Sequence, residues 1–443
     1  MTELDDALNP GKFKVEQILE LEKEYMVPAV AHYYKNPKLF IRGKGASLFD
    51  SDDKEYIDLF AGICTVLSGY SHPKLISALK KQLDLLMHTS TLYPTVPMAL
   101  YAKKLATVMP RGLNKCFFLN SGSEANEAAL HLTKIHKKSS FIISLDESFH
   151  GRTLMSMSIT NQGVWRHNIA YAADVIGVPN ANCYRCCFGK TSENCDMECA
   201  RYVEKAIRCR TPNRIAGLIA EPIQGNGGVI VPPPDYFPML IEIVHKYDGL
   251  FISDEVQTGF GRTGKKMWGI EHWGIIPDII TMAKGIGSGF PMGAFVTKKE
   301  VAEALKPKDL FSTFGGNPLA MVAGLANLEI IEEEKFLEQA AEKGTYLLKR
   351  LNELSEKHKL IGDVRGKGLM IGVELVKDRK TKVPATVEAQ TLLNLTLEKG
   401  VLLGLGGLDS NVIRIKPPIV ITKSQLDKAI MVIDESLSQI EKG

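Results

Sequence analysis

"DIITMAKGIGSGFPMG", residues 278–293, sets Lys284 just after an apolar run and follows it with Gly285, Gly287, Gly289 and Gly293. The run is short and rich in isoleucine, which reads as a buried strand. A lysine carried out of water by such a strand loses part of its preference for the charged form. Its amine then becomes a usable nucleophile for carbonyl carbon. Glycines around it let backbone approach a bulky ligand closely. For an arbitrary lysine the commoner reading is a snorkelling side chain beside a flexible loop.

Other apolar runs in the middle of the chain end in the same way. "CFFLN" ends at Asn120 and leads into "SGSEANEAALHL", and "FIISLDESFHGRT" passes Asp146 to reach His150 and Arg152. "GLIAEP" ends at Glu221, and "LFISDE" ends at Asp254 and Glu255. These runs alternate with amphipathic stretches, which predicts an α/β fold with a mostly parallel central sheet flanked by helices. In such a sheet ligands bind at the carboxyl ends of the strands, so the polar ends are expected to build one pocket.

The whole chain has 443 residues, 45% hydrophobic and 24% charged, the composition of an ordinary globular protein. A net charge of +3 gives no electrostatic ground for a nucleic-acid or membrane partner. No apolar run reaches the length of a membrane span. The start, "MTELDDALNPGKF", lacks the features of a signal or transit peptide, so the expected compartment is the cytoplasm. Length allows a large domain with a satellite. Residues 1–70 are read as a segment contributing to the smaller domain, 71–331 as the large ligand-binding domain, and 332–443 as an α+β C-terminal small domain.

Asp254 ends a run that should be buried, and an unpaired buried carboxylate is costly. It needs a cationic partner, and the pyridinium nitrogen of pyridoxal phosphate would serve. At 4 Å and an effective dielectric near 20, such a pair is worth about 4 kcal/mol, roughly three pK units on the ring nitrogen. A protonated ring is an electron sink for a carbanion at a substrate's α carbon. A structural salt bridge to another side chain is the alternative. For the phosphate, "NSGSEANEAALHL" offers a small-residue turn opening a helix, with Ser121 or Ser123 as N-cap. The backbone N–H groups of Gly122 and Ser123, with the positive helix end, would form an anion nest.

With these residues in place, the chain resembles the class III (ω-amino-acid type) pyridoxal-phosphate-dependent aminotransferases, fold type I. The motifs are "NSGSEAN", "FHGRT", "AEPIQG", "DEVQTGFGRTG", "DIITMAKGIGSGFPMGA" and "STFGGNP". "LFAGICTVLSGYSHPK", "HTSTLY" and "TFGGNPLA" look nearest to the alanine–glyoxylate and 3-amino-2-methylpropionate–pyruvate branch. The resemblance implies that Lys284 binds the cofactor as an imine and shuttles a proton between carbons in ping-pong amino transfer to a small 2-oxo acid. It implies Asp254 on the ring nitrogen, Gln257 on the phenolic oxygen and Phe149 on the ring face, with His150 and Glu221 in the same cofactor site. Gly122 and Ser123 would bind the phosphate, joined by Thr313 from a second subunit. That last role implies a homodimer with shared sites; pairing of dimers into a tetramer stays open.

Arg152 and Arg414 match positions that bind substrate carboxylates in relatives, a task suited to the planar guanidinium fork. Many ω-aminotransferases carry a glutamate after "PIQG" that masks the second arginine. Here that position is Asn226, which cannot form the ion pair. Arg414 is therefore expected to stay available for an α-carboxylate, favouring pyruvate, glyoxylate or 2-oxoglutarate as acceptor. Tyr70, Tyr93 and Trp165 are candidate pocket walls.

Two other motifs carry less. "GFGRTG", residues 259–264, fits a dinucleotide fingerprint but lacks its strand-to-helix setting, and reads as a loop near the cofactor. Five of the eight cysteines lie in the insertion 183–199, "CYRCCFGKTSENCDMEC". Cys183, Cys186, Cys195 and Cys199 have spacings that close a tetrahedral zinc site or hold an iron–sulfur cluster. The alternative is a reduced, metal-free loop. Two rival functions remain at this stage: a racemase or epimerase on the same scaffold, and a non-catalytic sensor built on the cysteine loop.

Overall fold

The structure is a computed structural model and describes residues 2–167, 171–191 and 193–442; Ser192, within the cysteine-rich insertion, lies outside them. A seven-stranded sheet forms the centre. Its order is Leu113–Leu119, Gly293–Lys298, Ile279–Met282, Leu250–Asp254, Gly217–Ala220, Ile142–Leu145, Val175–Val178. Gly293–Lys298 runs antiparallel to both its neighbours, and the remaining pairings are parallel, as the alternating strand and helix pattern predicts. Central strands such as "LFISD" and "IITM" are buried at every residue, which explains why they read as unbroken apolar runs rather than alternating ones.

The helix Gly122–Lys137 begins directly after the edge strand, and its N-cap Ser121 accepts a hydrogen bond from Glu124 N. Gly293 is what lets this turn sit against the sheet, because a Cβ there would overlap the Ser121 carbonyl oxygen. Glycines after Lys284 were expected to admit a ligand; at Gly293 the close neighbour is instead backbone of the helix-opening turn, and Gly287 gives way to Phe290 O.

A second sheet, antiparallel, runs Ile361–Lys367, Met370–Leu375, Val412–Ile415, Gly404–Gly406. Helices Phe336–Lys357, Thr386–Glu398 and Lys423–Lys442 accompany it in the chain. The N-terminal strands Phe40–Lys44, Ser47–Asp50 and Glu55–Asp58 join this region through Val401–Leu402, which pairs parallel with Ile57 and Asp58. Lys416 N also donates to Leu59 O at 2.7 Å. "GFGRTG" packs against the C-terminal region. Arg262 is fully buried, donating to Leu369 O, and Gly264 lies where a Cβ would meet Ala341 at 2.8 Å. Its glycines serve close packing there.

The final helix is docked by a buried histidine. His358 Nε2 meets Asp434 Oδ1 at 2.6 Å and Nδ1 meets Glu441 Oε2 at 2.9 Å. Partial burial pushes both carboxyls up, but hydrogen bonds and charge from His358, with Lys357 at Asp434, hold them below their ordinary 3.8 and 4.5. A depressed carboxylate contributes stability above its ordinary pKa and loses it as pH falls through the folded value. Acidifying below about pH 4 is thus expected to lower Tm more steeply in the wild type than in the double variant Asp434→Asn/Glu441→Gln. Parallel Tm-against-pH curves would contradict this.

Candidate active site

Gly122, Ser123, Phe149, His150, Glu221, Asp254, Gln257 and Lys284 line one cavity of about 130 Å³ with Asn126, Gly151, Val256 and Ala283. The cavity lies at the carboxyl ends of the strands Gly217–Ala220, Leu250–Asp254 and Ile279–Met282, where an open parallel sheet places its ligands. Lys284 opens a short 3₁₀ turn with a left-handed backbone, φ 47°. Such strain in a non-glycine residue persists only where its surroundings hold it. Burial lowers its pKa, with nearby Cys64, Asp254 and Glu221 opposing the shift and Arg414 adding to it. Among the described residues no hydrogen bond or ion pair occupies its amine.

Asp254 is buried beneath the cavity. Its Oδ2 meets His150 Nδ1 at 2.7 Å and accepts from Asn126 Nδ2 at 2.8 Å; its Oδ1 accepts from Val256 N at 3.1 Å. The carboxylate is therefore aimed by three neighbours, with capacity on Oδ1 for one more donor. Glu221, whose carboxyl is pushed up by burial despite His150 nearby, accepts from Phe149 N at 3.0 Å and Gly225 N at 2.8 Å. It ties the loop carrying Phe149 to the loop carrying Asn226. Glu255 points away: its carboxyl caps Gly269 N and Ile270 N at 2.8 Å, and burial raises it to about 7. Adjacent residues at a strand end face opposite sides, so only one of this acidic pair reaches the cavity.

The arginines stand apart from the lining. Arg414 is buried, its guanidinium 5.0 Å from the Phe60 ring centre. It donates to Asn226 Oδ1 at 3.2 Å, Gly225 O at 3.5 Å and Tyr33 Oη at 3.4 Å, while its Nε has no partner. All three acceptors are neutral. Arg152 is exposed; its guanidinium donates to Trp165 O at 2.8 Å, and Trp165 stands edge-on to Phe149 at 5.3 Å. Thr313 is exposed beside Phe311 and Phe314. Of the other wall candidates, Tyr70 donates to Asp58 Oδ2 at 2.5 Å, and Tyr93 is exposed.

The cysteine-rich insertion needs a correction. Among the described residues, no group of three His, Cys, Asp or Glu is gathered closely enough to hold a metal ion, so the zinc or iron–sulfur expectation has no structural support. Cys183, Cys187 and Cys195 are exposed free thiols, and Cys195 donates to Glu198 Oε2 at 3.4 Å. Side-chain pairing ties the segment to the rest of the fold. Arg185 pairs with buried Glu374, and Lys382 donates to Tyr184 O at 2.8 Å.

Sequence reasoning passed over Asn126, although it lies one helical turn beyond Gly122 and hence on the same face. It also passed over Lys416, two residues beyond Arg414 on the same side of an extended chain. Tyr33 and Gln162, which hold Arg414 and Asn226, carried no local signal.

The family model "Aminotransferase class-III" matches residues 29–437. An alanine–glyoxylate aminotransferase 2 homolog of Arabidopsis thaliana is 42% identical, the alignment covering 96% of this chain and 87% of the relative. A leucine/methionine racemase of Thermococcus litoralis is 38% identical, covering 97% and 96%. The solved structure of a Bacillus anthracis aminotransferase superposes with a TM-score of 0.90 at 33% identity, covering 96% of this chain and all of that one. No helix among the described residues is long and apolar enough to cross a membrane. The chain belongs to the class III aminotransferases.

Proposed function

We propose that the cavity holds pyridoxal phosphate and that the enzyme moves the amino group of a small amino acid to a small 2-oxo acid. One observation carries this reading: a half-buried, unpaired amine on Lys284 and an aimed carboxylate on Asp254 line the same cavity as a helix N-terminus. The fit is chemical. Oδ1 of Asp254 can accept from a ring nitrogen, and the first N–H groups of the helix, at Gly122 and Ser123, suit a phosphate. Asn126 Oδ1 and His150 Nε2 are buried without partners at the same place.

When bound, the cofactor withdraws electrons from the substrate's α carbon. The protein's tasks follow from its residues. Asp254 keeps the ring nitrogen protonated, with His150 and Asn126 holding the carboxylate in line. Phe149 covers a ring face, its backbone fixed by Glu221. Gln257 donates to the phenolic oxygen. Lys284 Nζ would take the proton from the substrate's α carbon and deliver it to the cofactor's aldehyde-derived carbon, and its lowered pKa favours the free base this requires.

Arg414 is the proposed anchor for the α-carboxylate of both donor and acceptor, because Asn226 offers it only a neutral oxygen. The names of relatives such as the alanine–glyoxylate aminotransferases support alanine as a donor and glyoxylate as an acceptor, and pyruvate and 2-oxoglutarate are the other small 2-oxo acids to try. Arg152, one side chain outside the lining, would contact the distal part of a substrate. Arg414→Ala is expected to lower kcat/KM for the 2-oxo acid by about 10²-fold, since a charge-assisted hydrogen-bond pair is worth roughly 3 kcal/mol. Unchanged acceptor kinetics would defeat that assignment. The racemase reading, which the Thermococcus relative keeps in view, separates cleanly. With amino donor alone, a transaminase releases about one 2-oxo acid per site and stops. A racemase releases none and inverts the donor.

A homodimer is supported by an exposed apolar surface. Leu92, Tyr93, Val96, Phe311 and Phe314 are each at least 60% exposed. His88 packs on Phe314 at 5.0 Å, and Thr91 donates to Ser312 O, so the two segments form one face. Thr313 lies on it, as a residue reaching a partner's phosphate site would.

A further inference from the structure

Lys416 is fully buried, yet no carboxylate among the described residues pairs with it. Its Nζ donates to Gln257 Oε1 at 2.7 Å and to Gly225 O at 3.4 Å. Burial pushes its pKa well below the ordinary lysine value, and the Arg414 charge adds to this, against the opposing pull of Cys64. Charged or neutral, the amine carries at least two N–H groups, and these two oxygens take them. An amine buried without a carboxylate costs more than the methionine that would fill the same space, so its presence asks for a role beyond packing.

The carboxamide of Gln257 is confined from a second side. A Cβ on Gly225 would stand 2.5 Å from Oε1 and 2.7 Å from Nε2, so the amide lies flat against the bare glycine. Which end of such an amide faces a neighbour is decided by hydrogen bonding. With Oε1 taken by Lys416, Nε2 is the end left for the cavity that Gln257 lines.

We infer that Lys416 is a positioning residue that locks the Gln257 carboxamide with its N–H donors toward the cavity and toward the cofactor's phenolic oxygen. This rests on the cofactor reading above. A released amide can present Oε1 instead, setting acceptor against acceptor. A fixed donor favours the deprotonated oxygen and so lowers the pH at which the lysine-bound cofactor gives up its proton.

The test is a pH titration of the visible absorbance of the holoenzyme, with Tm recorded alongside. Lys416→Met is expected to raise the apparent pKa of that band by about 1 unit, the equivalent of one hydrogen bond. Lys416→Gln, which keeps an N–H donor, should raise it less. Gln257→Leu should raise it at least as far as Lys416→Met, and the double variant no further than Gln257→Leu alone, because the lysine acts through the glutamine. Wild-type titration in both lysine variants overturns the inference, as does a Lys416→Met shift that persists in full on the Gln257→Leu background. Should Lys416→Met not fold, Lys416→Gln with and without Gln257→Leu decides the same point. A wild-type protein that takes up no pyridoxal phosphate refutes the cofactor reading itself, an outcome distinct from a normal band that the variants do not move.

Discussion

Lys284→Ala is expected to reduce transamination by about 10⁴-fold or more, the upper end of what a positioned proton-transfer group contributes. The loss should fall on kcat rather than KM, because the proposed role of the amine is at the reacting carbon and not at the substrate's distal groups. Its surroundings explain why no other lysine can substitute. Lys284 lines the cavity with its amine unpaired, whereas Lys416, a fully buried amine nearby, spends its donors on Gln257 and Gly225. Removing the lysine should leave the fold nearly intact, since its side chain makes no hydrogen bond or ion pair among the described residues. Activity of Lys284→Ala within tenfold of wild type would show that the proton moves through some other group.

Asp254→Asn is the second large effect expected. The substitution keeps the shape of the side chain and removes the charge proposed to face the ring nitrogen. An ion pair of about 4 kcal/mol corresponds to roughly a 10³-fold loss in kcat/KM. Part of the effect will be structural, because the carboxylate also accepts from His150, Asn126 and Val256. An unmatched amide N–H against Asn126 should lower Tm by about 1 °C, the equivalent of about 1 kcal/mol in a chain of this size. Measuring kcat/KM and Tm together separates the two contributions. A variant that loses stability but keeps its rate would assign Asp254 to the fold alone.

How far these residues could be read in the sequence depended on the distance over which each acts. Lys284, Asp254 and Glu221 were legible because each ends a buried strand, and a parallel sheet delivers all its strand ends to one edge. Gly122 and Ser123 were legible because a helix announces its start with small and capping residues. Glu255 misled because adjacency in sequence looks like proximity in space, while the strand sends the two carboxylates to opposite sides. The cysteine spacing left a metal site and a metal-free loop equally open, because it states only which thiols could meet, while the pairings of Arg185 with Glu374 and of Lys382 with Tyr184, which tie the segment down, lie far off in sequence. Lys416 was invisible in its role because its partner Gln257 is 159 positions away, and nothing local marks a lysine as a donor to a distant amide. The pairing of Arg414 with Tyr33 spans 381 positions and was hidden in the same way.

The exposed apolar face bearing Thr313 belongs to this argument as well. In sequence its phenylalanines look like core residues, and only the fold leaves them outside. A chain that completes its phosphate site from a partner would need such a surface.

The central claim is that one lysine captures the aldehyde. Borohydride reduction of protein loaded with pyridoxal phosphate, followed by digestion and peptide mass spectrometry, tests it most directly. The account predicts a single pyridoxyl group per chain, on the peptide containing Lys284. Modification at Lys416 or at surface lysines in its place, or no stable adduct at all with the cofactor in excess, would contradict it.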